Sequence, residues 1–91
     1  MFSVPEPAKV AEINLFSEMG DEVIIVVTNK DESSPCWVKI TRSGLGAPEE
    51  LVAQDFIMPG ESRYFALKGV FKYVVYANRE VSVGHVTIIK G

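Results

Sequence analysis

The chain is 91 residues long, 47% hydrophobic and 23% charged, which suits one folded domain with a single core. Nine Lys+Arg against twelve Asp+Glu leave a formal net charge of −3, and the basic residues are scattered singly. Nucleic-acid binding needs a concentrated cationic surface that displaces counterions from phosphates, so that class is excluded. One cysteine rules out an internal disulfide, and the longest unbroken apolar stretch, 23–27, is far too short to span a membrane.

Residues 1–8, with Pro5 and Pro7 around Glu6, read as an extended arm ahead of a single domain over 9–91. No basic segment followed by an apolar stretch opens the chain, so no secretory leader is visible. Either the protein stays inside a cell or a virion, or a leader has been trimmed. A first strand is expected from Val10 to Phe16, ending in a turn over 17–21 that uses Gly20. The next run, 22–29, carries β-branched residues at every position from Val23 to Thr28. A continuous run of that length between turn residues predicts a central strand covered on both faces.

After a polar loop over 29–35, residues 36–42 alternate, with Cys36, Val38 and Ile40 on one face and Trp37, Lys39 and Thr41 on the other. The connection 43–50 holds two glycines without the spacing or the Gly-Lys-Ser/Thr of a phosphate loop. Pro48, Glu49 and Glu50 also suit the first turn of a helix, which leaves 51–58 open between helix and strand. Pro59 followed by Gly60 marks a type II turn over 58–61. Residues 62–67 read as a strand, and the last quarter of the chain reads as a β-hairpin. Its two β-branched and aromatic runs flank the break Asn78, Arg79, Glu80.

Six or seven short strands without helical periodicity predict an all-β fold, an antiparallel Greek-key β-sandwich. Three stretches give this sandwich a resemblance to the cupredoxin-like and immunoglobulin-like domains. Residues 29–40, with the asparagine that ends a strand, a loop and then an alternating strand, resemble the segment around the first cupredoxin ligand histidine. Pro59, Gly60, Glu61 and Ser62 resemble the turn before the sixth strand. Residues 69–75 and 84–88 resemble the two closing strands.

The metal site of that family does not carry over. Where the resemblance places the first histidine the chain has Cys36, and where it places the cysteine the chain has Val75. The second histidine falls near Asn78, and the axial methionine near Val81 or Val83. A blue-copper centre needs two imidazoles and a thiolate, and the chain owns one histidine. Blue copper is thereby excluded, and no metal or other cofactor is expected. Cys36 reads as a small buried hydrophobe with an inert thiol, and His85 as a surface residue. The adjacent acidic pairs at 21–22, 31–32 and 49–50 lack the spacing of an acid/base pair or a calcium loop. No catalytic residue is expected.

Taken with the resemblance, the period-two pattern places Phe71, Tyr73 and Val75 inward and Val74 and Tyr76 outward. It sends Val86 and Ile88 inward and His85, Thr87 and Ile89 outward. Trp37, Val74, Tyr76 and Ile89, edged by His85, would then form one apolar outer patch, an interface to a protein partner or to a second copy. The expected function is a non-enzymatic structural or interaction module in a larger or symmetric assembly, such as a virion decoration protein or an oligomeric scaffold. The alternatives are a metal-free cupredoxin-like accessory subunit, and a small-ligand or carbohydrate binder rimmed by loops 29–35 and 78–83.

Overall fold

A computed structural model describes residues 5–15, 21–44, 46, 48–69 and 71–89. Among the described residues seven strands form two antiparallel sheets: β1 (Ala8–Asn14), β2 (Glu22–Asn29), β3 (Cys36–Ser43), β4 (Glu50–Ile57), β5 (Ser62–Lys68), β6 (Lys72–Ala77) and β7 (Val81–Ile88). The first sheet runs β1-β6-β3-β4 and the second β5-β2-β7. Of the expected arm, residues 1–4 lie outside the described residues, as does most of the turn expected over 17–21. Pro5 is held through its carbonyl, which accepts from Asn78 Nδ2 at 3.1 Å.

The core forms where the alternating residues of both sheets meet. Val23, Ile25 and Val27 come from β2, Cys36, Val38 and Ile40 from β3, and Tyr73, Val75 and Ala77 from β6. The period-two reading of β3 and β6 therefore holds: these inward residues are buried, and their neighbours point out. The stretch left open between helix and strand is β4. Pairing with β3 settles it by setting Ile57 opposite Cys36 and Ala53 opposite Ile40 on the core side. The turn over 58–61 has the expected type II form: Glu61 N–H donates to Met58 O at 3.0 Å, and Gly60 takes a φ of +75° that suits glycine.

Two expectations are corrected. β6 and β7 are not a hairpin, because β6 lies in the first sheet and β7 pairs with β2 in the second. Asn78 anchors the start of their connection to the first sheet. Its N–H donates to Trp37 O at 3.2 Å, and its Oδ1 accepts from Trp37 N–H at 2.8 Å. Glu80 anchors the end to the second sheet by accepting from Lys30 N–H at 2.9 Å. The three residues 78–80 thus step across the sandwich.

The phase of β7 is also reversed. Thr87 pairs with Val23 and His85 with Ile25, so they lie on the core side of the ladder while Val86 and Ile88 point out; His85 itself stays exposed, as expected of a surface residue. Val81 and Val83 pack on the core and set the phase, and the ladder with β2 carries no bulge that could shift it.

Candidate interaction surfaces

The five expected interface residues divide between the two sheets. Trp37, Val74 and Tyr76 lie on the outer face of the first sheet. His85 belongs to β7, and Ile89 lies just past its end, 70% exposed. They do not make one patch, because β3 and β6 share a sheet that β7 does not join.

On the first sheet, charged side chains cover half of the outer face. Lys9 Nζ and Lys72 Nζ each approach a different Glu12 carboxylate oxygen at 2.6 Å. Tyr76 O–H donates to Glu49 Oε1 at 2.8 Å, and Thr41 O–H donates to the same oxygen. Val74, opposite Glu12 on one side and Thr41 on the other, is left only 8% exposed and cannot serve as a contact. The hydrogen bond from Lys72, then that from Lys9, holds the Glu12 carboxyl at about 2, well below its ordinary value.

That depression has a sign. A carboxyl whose folded pKa lies below its unfolded one contributes stability above the unfolded pKa, and loses it as pH falls through the folded value. The Glu12 contribution should therefore be complete above about pH 4.5, shrink steadily as pH falls through the carboxylate range, and be gone near pH 2. An NMR titration of the Glu12 side chain should show its midpoint there, and Lys72→Ala should move it upward. A midpoint near 4.5 in the parent protein would remove the two-lysine clamp.

The other half of this face is aromatic. Phe56 stacks on Trp37 with ring centroids 5.8 Å apart and planes 15° apart, and the Lys39 ammonium sits 4.4 Å from the Trp37 centroid. Phe56 itself remains 51% exposed. Sequence reading singled out Trp37 and missed Phe56, because β4 was not yet a strand with a defined outer face.

The second sheet carries a broader apolar surface. With Val23, Ile25 and Val27 in the core, Ile24 and Val26 point outward. In register beside Val26 stand Tyr64 on β5 and Gly84 on β7; beside Ile24 stand Ala66 and Val86. Tyr64 is 69% and Val86 59% exposed. Hydroxyls border one end, where Ser62 and Ser82 flank Thr28, and Lys68 and Glu22 border the other with Ile88. Sheets with one solvated face normally alternate apolar-in and polar-out, and this one does not. The unbroken 23–27 run was the sequence signal for it.

Gly84 stands out within that face. A Cβ built there meets nothing within 4 Å, and the residue is not among the glycines with positive φ. Neither backbone conformation nor crowding within the chain requires glycine, which in a strand costs ~0.5–1 kcal/mol relative to alanine.

Cys36 is fully buried, and burial pushes its thiol upward, away from the reactive thiolate. Among the described residues no group of three His, Cys, Asp or Glu side chains could hold a metal ion. Nor is any helix among those residues long and apolar enough to cross a membrane.

The loops expected to rim a ligand site are filled by their own hydrogen bonds. Asn29 Nδ2 donates to Ser34 O and Ile57 O, and Asp31 Oδ1 accepts from the N–H groups of Ser33 and Ser34. A cleft of about 520 Å3 opens at the other end of the sandwich, between β4 and β5. Leu51, Val52 and Leu67 contribute to its walls, and Arg42 and Glu50 pair with each other there. Compared with protein-family models, with curated proteins and with solved structures, the chain finds no match.

Proposed function

We propose that the protein is a non-enzymatic interaction module, a small β-sandwich subunit that works inside a larger assembly. The observation that carries this reading is the apolar outer face of the second sheet. Ile24, Val26, Tyr64 and Val86 are turned away from the core, with a polar border at each end. Contiguous apolar surface with a polar rim is what a protein contact requires, and it is costly to leave in water. The Trp37–Phe56 stack on the opposite side of the sandwich offers a second contact, because aromatic rings concentrate at interface centres. Two sticky faces pointing in opposite directions suit a subunit with neighbours on both sides, as in a virion accessory layer or an oligomeric scaffold.

The reading is tested by the mass of the protein in its native extract, followed by sedimentation under mild conditions. The expected mass is above the 10.0 kDa of one chain, and Val86→Lys should shift it downward without unfolding the protein. A parent protein that sediments as one chain in that extract overturns the reading.

A further inference from the structure

We infer that the outer face of the β5-β2-β7 sheet binds the same face of a second copy, about a two-fold axis running along β2. This rests on the interaction-module reading and names its partner. Size and charge both favour this pairing. The two middle rows across the sheet read Tyr64, Val26, Gly84 and Ala66, Ile24, Val86. A two-fold axis along the central strand lays β5 of one copy over β7 of the other at the same height. Tyr64 then stands over Gly84 of the second copy, and Ala66 over its Val86, each twice by symmetry. Large meets small in both rows.

Sheets pack face to face about 10 Å apart, a gap that a tyrosine ring spans only when its opposite number is very small. Their usual crossing of about 30° leaves rows near the middle of the strands aligned. The absence of a side chain at Gly84, unexplained within one chain, is what such an approach requires.

Charge favours the same axis. It gathers Lys68 and Glu22 of both copies at one end, so that each carboxylate lies between two ammonium groups and the cluster is neutral. An axis across the strands would instead press Lys68 and Glu22 onto the hydroxyl end, where Ser62 and Thr28 offer no countercharge. The strand spacing and rise give a footprint of roughly 14 Å by 23 Å. That is small for a stable interface, so the pair should form and dissociate in the micromolar range or weaker.

Sedimentation equilibrium of the purified full chain, run up to roughly 1 mM, provides the test. The parent protein should approach twice its single-chain mass. Gly84→Val adds a branched side chain that the single chain can hold, since nothing lies within 4 Å of its Cβ. Thermal unfolding should therefore be unchanged or improved, while association weakens at least about tenfold. Adding Tyr64→Ala to Gly84→Val should recover much of the loss by reopening the space. A Gly84→Val variant that associates as well as the parent, or better, overturns the proposal, because plain apolar adhesion would gain from the added methyls. A parent that stays single at every concentration also overturns it. If that protein nevertheless has a larger mass in its native extract, the face belongs to a different partner and the interaction-module reading stands.

Discussion

Asn29→Ala should lower the stability of the protein by about 3 kcal/mol, the cost of leaving several buried polar groups without partners. Asn29 is fully buried at the end of β2, and its side chain is spent on three hydrogen bonds. Nδ2 donates to Ser34 O at 2.9 Å and to Ile57 O at 3.0 Å, and Oδ1 accepts from Asp31 N–H at 2.9 Å. Truncation strands two carbonyls and one N–H together. The Ile57 bond is the most enclosed of the three, while water can reach part of the other two, which keeps the total below the sum of three full penalties.

The main-chain bonds of Asn29 to Glu61 O and from Gly60 N–H survive the change, so the strand itself should persist. In a domain of this size the loss should lower the melting temperature by roughly 12–20 °C. Urea unfolding should show a lower midpoint with an unchanged slope. The exposed neighbour serves as control: Lys30→Ala should stay within about 0.5 kcal/mol of the parent. A loss under about 1 kcal/mol for Asn29→Ala would mean that the side chain does not staple the loop to the β4–β5 turn.

That staple bears on function as well as stability. It joins the loop after β2 to the end of β4, while Asn78 joins the β6–β7 connection to β3 and to the arm at Pro5. Both loops at this end are occupied in holding the sheets together. The flat sheet faces carry the broader apolar surfaces, which is why a partner is placed on them.

Cys36, Val38 and Ile40 alternate cleanly with polar neighbours, so the inner face of β3 was readable, as was the turn at Pro59 and Gly60, where φ itself selects the residue. β4 was not readable, because Pro48, Glu49 and Glu50 carry local helix-start signals that lose to long-range pairing with β3. β7 failed for a different reason. Val81, Val83, Val86 and Ile88 are apolar on both phases, so alternation cannot choose, and only pairing with β2 does.

The hairpin reading failed because a short polar break between two strands looks the same whether it turns within a sheet or crosses between sheets. The 23–27 run is apolar on both sides, as it reads, but the expectation of a strand covered on both faces fails within one chain: only the side of Val23, Ile25 and Val27 is buried. What covers the second side is not a property of one chain's periodicity. Gly84 became informative only when its surroundings were known to be open.

Tyr73→Ala should cost about 3–5 kcal/mol, whereas Tyr73→Phe should cost about 1 kcal/mol. Tyr73 heads the fully buried side chains by volume, and Phe71 meets it edge-on with centroids 6.4 Å apart. Its hydroxyl donates to Lys68 O, reaching back over the crossing from β5 to β6. A tyrosine tying down this corner is a recurrent device of Greek-key sandwiches. The two substitutions separate its two contributions. Phenylalanine keeps the ring and leaves one carbonyl to find water; alanine also empties the centre of the core, where neighbours from both sheets cannot collapse fully into the space. Equal losses for the two variants, by urea unfolding, would place the stabilisation in the hydroxyl and contradict the packing argument. Because the Tyr73 side chain points inward, Tyr73→Phe should leave both outer faces in place and self-association at the parental level. Tyr73→Ala should weaken association only in proportion to the fraction unfolded, which separates a damaged core from a damaged interface.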